Sequence, residues 1–157
     1  MFPCFELLRN NGVAEDDITH CIKMAEKALE IAYRTNRDLD FEFIGRGALF
    51  HDLGKAKTHD IEHGAIGAEM GRVLGLPDRI NAVMEKHIRG GLTSEDVIEL
   101  GLAVKDYTLH TLEERIIIYA DRLAIPVILC MYPSEEIVAA GIHFRRHYKC
   151  LGCLTVL

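Results

Sequence analysis

The chain has no uninterrupted apolar stretch near the ~18 residues that a membrane-spanning helix requires. Its longest candidate, 123–132, is too short and contains Pro126. It has no excess of basic residues either: 18 lysines and arginines stand against 24 acids, a formal net charge of −6 at pH 7. That balance argues against wrapping a nucleic-acid duplex, which needs a broad basic face. A small phosphorylated substrate stays open, because bound metals can reverse the sign locally. The opening residues, Met1-Phe2-Pro3-Cys4-Phe5-Glu6, lack the basic and apolar regions of a signal peptide. Five cysteines without such a leader point to reduced thiols in a cytoplasmic protein, and Cys4, Cys21 and Cys130 read as small core residues. No segment alternates with period two over a useful length and no internal repeat is present; Ile116-Ile117-Ile118 could alternatively be a strand, but the acidic turn at Glu113 and Glu114 before it argues for helix.

What is present is helical periodicity. At 157 residues and 49% apolar composition, the expectation is one domain over 1–157, with a core at about 15–126 and a last helix and tail at 133–157. Phe5-Glu6-Leu7-Leu8 begins a short helix ended by Asn10-Asn11-Gly12. Glu15, Asp16 and Asp17 form an acidic first turn, after which Ile18, Cys21, Ile22, Ala25, Ala28, Leu29 and Ala32 recur at helical spacing to about Arg34. A further helix runs from Phe41 to Leu53, with Gly54 as the left-handed residue that ends it. The Gly and Ala spacing of His63 to Met70 suits a helix packed closely on a neighbour, ending near Gly75. Pro77 opens the next as a first-turn residue. Thr93-Ser94-Glu95-Asp96 starts a short helix to about Leu100. Thr111-Leu112-Glu113-Glu114 has the capping-box pattern, opening an apolar helix from Arg115 to about Ile125. The fold class expected is all-α, a bundle of six or more short helices.

Within this frame the apolar run 41–53 ends on His51 and Asp52. A carboxylate buried there needs a cation, a hydrogen-bond network or a metal, and imidazole and carboxylate are both ligands for divalent metals. Lys55 is expected just past the helix end, free to reach an anion. His20 lies at the margin of the apolar stripe of its helix, where a boundary histidine is the plain alternative. Asp121 lies inside an apolar helix, where a salt bridge is the plain alternative. His63 and His87 occupy two intervening helices. His59 and His110 lie in polar stretches and have no assigned role.

Together His20, His51-Asp52 and Asp121 resemble the HD superfamily of metal-dependent phosphohydrolases, whose pattern is an early helix histidine, a His-Asp doublet and a late aspartate. The resemblance covers about 18–125. His51-Asp52-Leu53-Gly54-Lys55 is close to the His-Asp-Ile-Gly-Lys form of one branch, and Tyr119-Ala120-Asp121 is a typical setting for the last ligand. His63 and His87 look like the added histidines of members with paired metals, such as the bacterial symmetrical diadenosine tetraphosphate hydrolases and small archaeal-type proteins. The glycine-tyrosine-proline signature of the cyclic-di-GMP branch is absent after His87.

The resemblance implies a phosphohydrolase acting on a nucleotide or dinucleotide. His20, His51, Asp52 and Asp121 would hold one metal, and Asp52 would bridge to a second held by His63 and His87. Such a donor set suits Mn, Fe, Co, Ni or Zn. Hydroxide generated at the metals would attack phosphorus, with Asp52 and Lys55 as the catalytic pair. Lys55 would also hold phosphate, with Arg89 a second candidate that could equally be a solvated surface charge. The rival reading is a metal-containing nucleotide sensor without turnover. The expected partner is a small phosphorylated substrate, not a membrane or duplex nucleic acid, and a homodimer is left open. A separate group, His143, His147, Cys150 and Cys153, has zinc-binding residue types but comes from one short segment with no second knuckle to close around the ion.

Overall fold

The computed structural model describes residues 4–88, 91–102 and 105–124. Among them the chain forms seven α-helices and one 3₁₀ turn, with no strand. The helices are α1 (Cys4–Asn10), α2 (Glu15–Arg34), α3 (Phe41–Phe50), α4 (His63–Val73), α5 (Asp78–Lys86), α6 (Ser94–Glu99) and α7 (Leu112–Ala124); the 3₁₀ turn is Leu53–Ala56. The all-α expectation is met, and the boundaries of α2 fall where its acidic first turn and apolar spacing put them. The capping box expected at Thr111 forms, and a second one opens α6. Thr93 Oγ1 accepts from the Asp96 amide while Asp96 accepts from the Thr93 amide. Thr111 and Glu114 exchange the same pair of bonds.

α3 is the centre of the bundle, packed against α2, α5 and α7. Ile18, Cys21, Met24, Ala28, Ile31 and Ala32 of α2 are buried, a stripe at three- and four-residue spacing that faces one way. α3 contributes Phe43, Ile44, Ala48 and Phe50, and α5 contributes Ile80, Val83 and Met84. Ile116 to Ala120 are all buried, so α7 is apolar around its circumference. α4 lies on α5 and on the 3₁₀ turn. Gly64, Gly67 and Gly71 make this approach possible: a Cβ on Gly64 would stand 2.7 Å from the Met84 carbonyl oxygen, and one on Gly71 2.2 Å from Asn81 Oδ1. A smaller cluster of Ile88, Leu92, Val97 and Tyr107, with Ile61 against it, lies apart from the main core.

Several expectations are corrected. α3 ends at Phe50, not Leu53, and His51 and Asp52 occupy the turn that follows. Gly54 is buried in the 3₁₀ turn and is not among the glycines of positive φ. Its role is close approach, since a Cβ there would stand 1.9 Å from the His63 carbonyl oxygen and 2.7 Å from the Gly67 amide nitrogen. Pro77 is the residue before α5 rather than its first helical residue. Cys4 is exposed, because the seven-residue α1 turns only Leu8 fully inward. Cys21 is buried as expected. Arg89, Cys130, His143, His147, Cys150, Cys153 and the expected helix and tail at 133–157 lie outside the described residues.

Candidate metal centre

Five segments bring six side chains to one place. α2 supplies His20, the turn after α3 supplies His51 and Asp52, the first residue of α4 is His63, the residue after α5 is His87, and α7 supplies Asp121. His51 and Asp52 are almost completely enclosed, at 0% and 2% exposure. His20 Nε2 lies 3.2 Å from Asp121 Oδ1 and 3.6 Å from Asp52 Oδ2. His51 Nε2 lies 3.1 Å from Asp52 Oδ2 and 3.4 Å from Asp121 Oδ1. The other oxygen of Asp52, Oδ1, faces His63 Nε2 at 3.3 Å and His87 Nε2 at 3.4 Å. One carboxylate therefore divides its two oxygens between two groups of imidazoles.

The far side of each ring settles which nitrogen is bare. Nδ1 of His51 lies 2.7 Å from the Ala48 carbonyl, Nδ1 of His87 2.7 Å from that of Met84, and Nδ1 of His63 2.6 Å from that of Asp60. A carbonyl only accepts, so each Nδ1 carries a proton and donates it, and Nε2 is the nitrogen that offers a lone pair to a metal when the ring is neutral. His63 Nε2 and His87 Nε2 are then 2.9 Å apart with lone pairs facing each other. That arrangement is repulsive unless a proton or a metal ion is shared between them. His51 Nε2 is buried and has no well-aligned hydrogen-bond partner.

This is the test of whether the residues fit a metal, and they do. With metal–ligand bonds of about 2.1 Å, neighbouring donors lie about 3.0 Å apart on an octahedron and about 3.4 Å on a tetrahedron. The separations among these side chains run from 2.9 to 3.6 Å. His20, His51 and Asp121 form one group able to hold an ion, and Asp52, His63 and His87 form another. Cys21, beside His20 in sequence, brings its thiol near His51 and Asp52 while packing in the main core.

Without a metal, the pull of the two carboxylates favours a proton on His51 in its place. Burial raises the Asp52 carboxyl, but His51, His63 and His87 more than reverse this and hold it well below the usual carboxylate range. Burial likewise opposes charge on Asp121, and His51 and His20 pull it down. Burial lowers the His51 imidazole, yet the two carboxylates beside it win and raise it well above its ordinary value. His87 goes the other way, because burial outweighs the help it gets from Asp52. Lys55 is not free as expected. Its ammonium donates to Asp52 Oδ2 at 2.5 Å, the same oxygen that faces His20 and His51.

A cavity of about 370 Å³ opens over the cluster. Besides His20, Asp52, Lys55, His63, His87 and Asp121 it is lined by His59, Ile61 and Ile88. His59 had no role in the sequence reading; here its Nε2 lies 3.1 Å from Asp17 Oδ2, joining the loop before α4 to the start of α2 at the rim. Nothing in the local sequence marks that contact, which pairs residues 42 positions apart.

The sequence model of the HD domain family matches residues 17–125. The chain belongs to the HD domain family. An uncharacterized protein of Methanocaldococcus jannaschii is 42% identical over 116 residues, covering 72% of this chain and 69% of that one. A tRNA (cytidine(56)-2'-O)-methyltransferase of Thermoplasma volcanium is 38% identical over 120 residues, 76% of this chain and 35% of the relative. Ribonuclease Y of Pseudothermotoga lettingae is 40% identical over 73 residues, 45% of this chain and 14% of the relative. This HD domain thus spans about a third of the methyltransferase and a smaller part of the ribonuclease. No solved structure matches the chain.

Proposed function

We propose that the protein is a metal-dependent phosphohydrolase with a dinuclear site, acting on a phosphoester or phosphoanhydride of a small, nucleotide-containing substrate. The observation that carries this reading is Asp52. Its two oxygens face separate histidine groups, and the Nδ1 bonds of His51, His63 and His87 keep their Nε2 lone pairs turned inward. His20, His51, Asp52 and Asp121 would hold one ion, and Asp52, His63 and His87 the other. Two divalent first-row metals held there would supply a nucleophilic water at neutral pH and offset charge on the phosphoryl oxygens. In the hydrolysis the water oxygen bonds to phosphorus, the bond from phosphorus to the leaving oxygen breaks, and a water proton ends on the leaving group.

The remaining residues bind and orient. Lys55 lines the cavity beside Asp52; with Asp52 holding a metal, the lysine ammonium would be available to a phosphoryl oxygen as charge develops. Ile61 and Ile88 offer an apolar wall for a ribose or base. The names of two relatives, a tRNA methyltransferase and a ribonuclease, support a nucleotide-containing substrate. Methyl transfer is not carried over, because about two thirds of that enzyme lies outside the match.

The test combines metal analysis of protein purified without chelator with a screen of nucleoside mono-, di- and triphosphates, dinucleoside polyphosphates and cyclic dinucleotides in Mn or Fe. Turnover of at least one class, abolished in Asp52→Ala, is expected. Protein without bound transition metal, or turnover undiminished in Asp52→Ala, would overturn the assignment. Saturable nucleotide binding with no turnover would replace it with the sensor reading.

A further inference from the structure

A second cavity, of about 460 Å³, lies beside the first and is lined by Asp16, Thr19, His20, Lys23, Lys27 and Leu123. His20 lines both, so the second is a continuation of the candidate metal centre along α2. Thr19, Lys23 and Lys27 recur every four residues and so stand on one face of the helix, about 6 Å apart along its axis at 1.5 Å per residue. Lys23 is exposed and, among the described residues, has no ion-pair partner. Lys27 is held by Glu30 at 2.6 Å and keeps about a third of its side chain in solvent. Asp16 stands at the N-terminal end of the row, where the first-turn amides of α2 offset its charge.

A single phosphate at the histidine–aspartate cluster would be met by Lys55 and would leave this groove unused. A row of hydroxyl and ammonium groups leading away from the cluster suits repeated negative charge. We propose that the groove is a subsite for phosphates beyond the one being cleaved, so that the preferred substrate carries a linear run of phosphates, with Lys23 holding the first and Lys27 the next. Ile61 and Ile88 line only the first cavity, which separates the apolar end of the substrate from its phosphate tail. The inference rests on the hydrolase reading and adds the direction in which the substrate lies. Such a run of phosphates occurs either as the bridge of a dinucleoside polyphosphate or as the backbone of a single-stranded oligonucleotide.

The experiment compares wild type with Lys23→Ala, Lys27→Ala and the double variant on three substrates: p-nitrophenyl phosphate, a dinucleoside tetraphosphate and a short single-stranded oligoribonucleotide. Both lysines are surface residues, and matching melting curves establish that the fold is intact. Each substitution should raise KM for the extended substrate roughly fivefold, the upper range for one exposed ion pair. KM for the single phosphate should not move. A rise confined to the tetraphosphate identifies the polyphosphate bridge, and one confined to the oligonucleotide identifies the phosphodiester backbone. Unchanged KM for both extended substrates, or an equal rise for the single phosphate, overturns the subsite. Inorganic tripolyphosphate titrated into chelator-treated protein gives a readout independent of turnover. Weaker binding with a shallower salt dependence in the double variant supports the subsite, and identical binding together with an unchanged KM for the oligonucleotide overturns it even where the hydrolase reading holds. Wild-type protein that hydrolyses another nucleotide of the wider screen but neither extended substrate also overturns the subsite, and leaves the hydrolase reading standing.

Discussion

Replacing Gly54 with alanine adds one methyl group where the 3₁₀ turn meets α4. That carbon would stand 1.9 Å from the His63 carbonyl oxygen and 2.7 Å from the Gly67 amide nitrogen, against 3.4 Å or more for ordinary contact. Both neighbours are backbone atoms, so neither can rotate away, and the two segments must part by roughly 1.5 Å. Overpacking of this kind costs about 1–3 kcal/mol. Taking the upper end, the melting temperature of a chain this size should fall by about 6–12 °C. The same displacement carries His63 away from Asp52 Oδ1, from which its Nε2 now lies 3.3 Å. A misplacement of about 1 Å at a reacting centre can cost on the order of a hundredfold in rate. The expected result is a lower melting temperature by circular dichroism, with loss of about one metal equivalent. Gly12→Ala is the control. Gly12 has φ +88° and open space around its Cβ position, so it should lose about 1–2 kcal/mol from backbone strain alone and keep its metal. Gly54→Ala protein with wild-type melting temperature and metal content would refute the reasoning.

Lys55→Ala should retain metal but lose activity by about 10²–10³-fold, the effect of removing one charge-stabilising donor; metal loss in this variant would make Lys55 structural. His63→Ala and His87→Ala should each lose about one equivalent of metal and His20→Ala should weaken only the other ion, while Asp52→Ala disturbs both. A wild-type stoichiometry of one, unaffected by removing His63 and His87, would defeat the two-metal arrangement. Chelation should lower the melting temperature while leaving the helical signal in place, since metal present at a hundredfold over its Kd stabilises by about 2.7 kcal/mol. Ile117→Ala, at a position with no exposure, should cost about 2–5 kcal/mol by cavity formation, read by chemical denaturation.

Local chemistry made much of this legible. The acidic turn at 15–17 and the apolar stripe behind it located α2, and two reciprocal Thr and acid patterns located the starts of α6 and α7. The residues that converge could be listed because together they resemble the HD pattern, although His20 and Asp121 each have a plain alternative when read alone. The end of α3 could not be read, since the apolar run continues unbroken to Leu53. Gly54 likewise looks like an ordinary helix stop, and its actual constraint comes from the backbone of α4, about ten residues later. The free Lys55 of the sequence reading is tied down by Asp52 in three dimensions. His59 and the groove at Lys23 are invisible for the same reason: each depends on which surfaces meet.

The spread of the six convergent residues along the chain bears on how the molecule assembles. His20 and Asp121 stand 101 positions apart, and the others lie between them on segments that must each find a neighbour first. Contacts of such separation come late, after the entropy of closing large loops has been overcome. On this argument the cluster would be completed with the folded bundle and would not nucleate it. Metal should leave the refolding rate nearly unchanged and slow the unfolding rate, as interactions absent from the transition state do. Occupancy would then act as a lock applied after folding, and depletion of the metal would shorten the lifetime of the native state without blocking its formation.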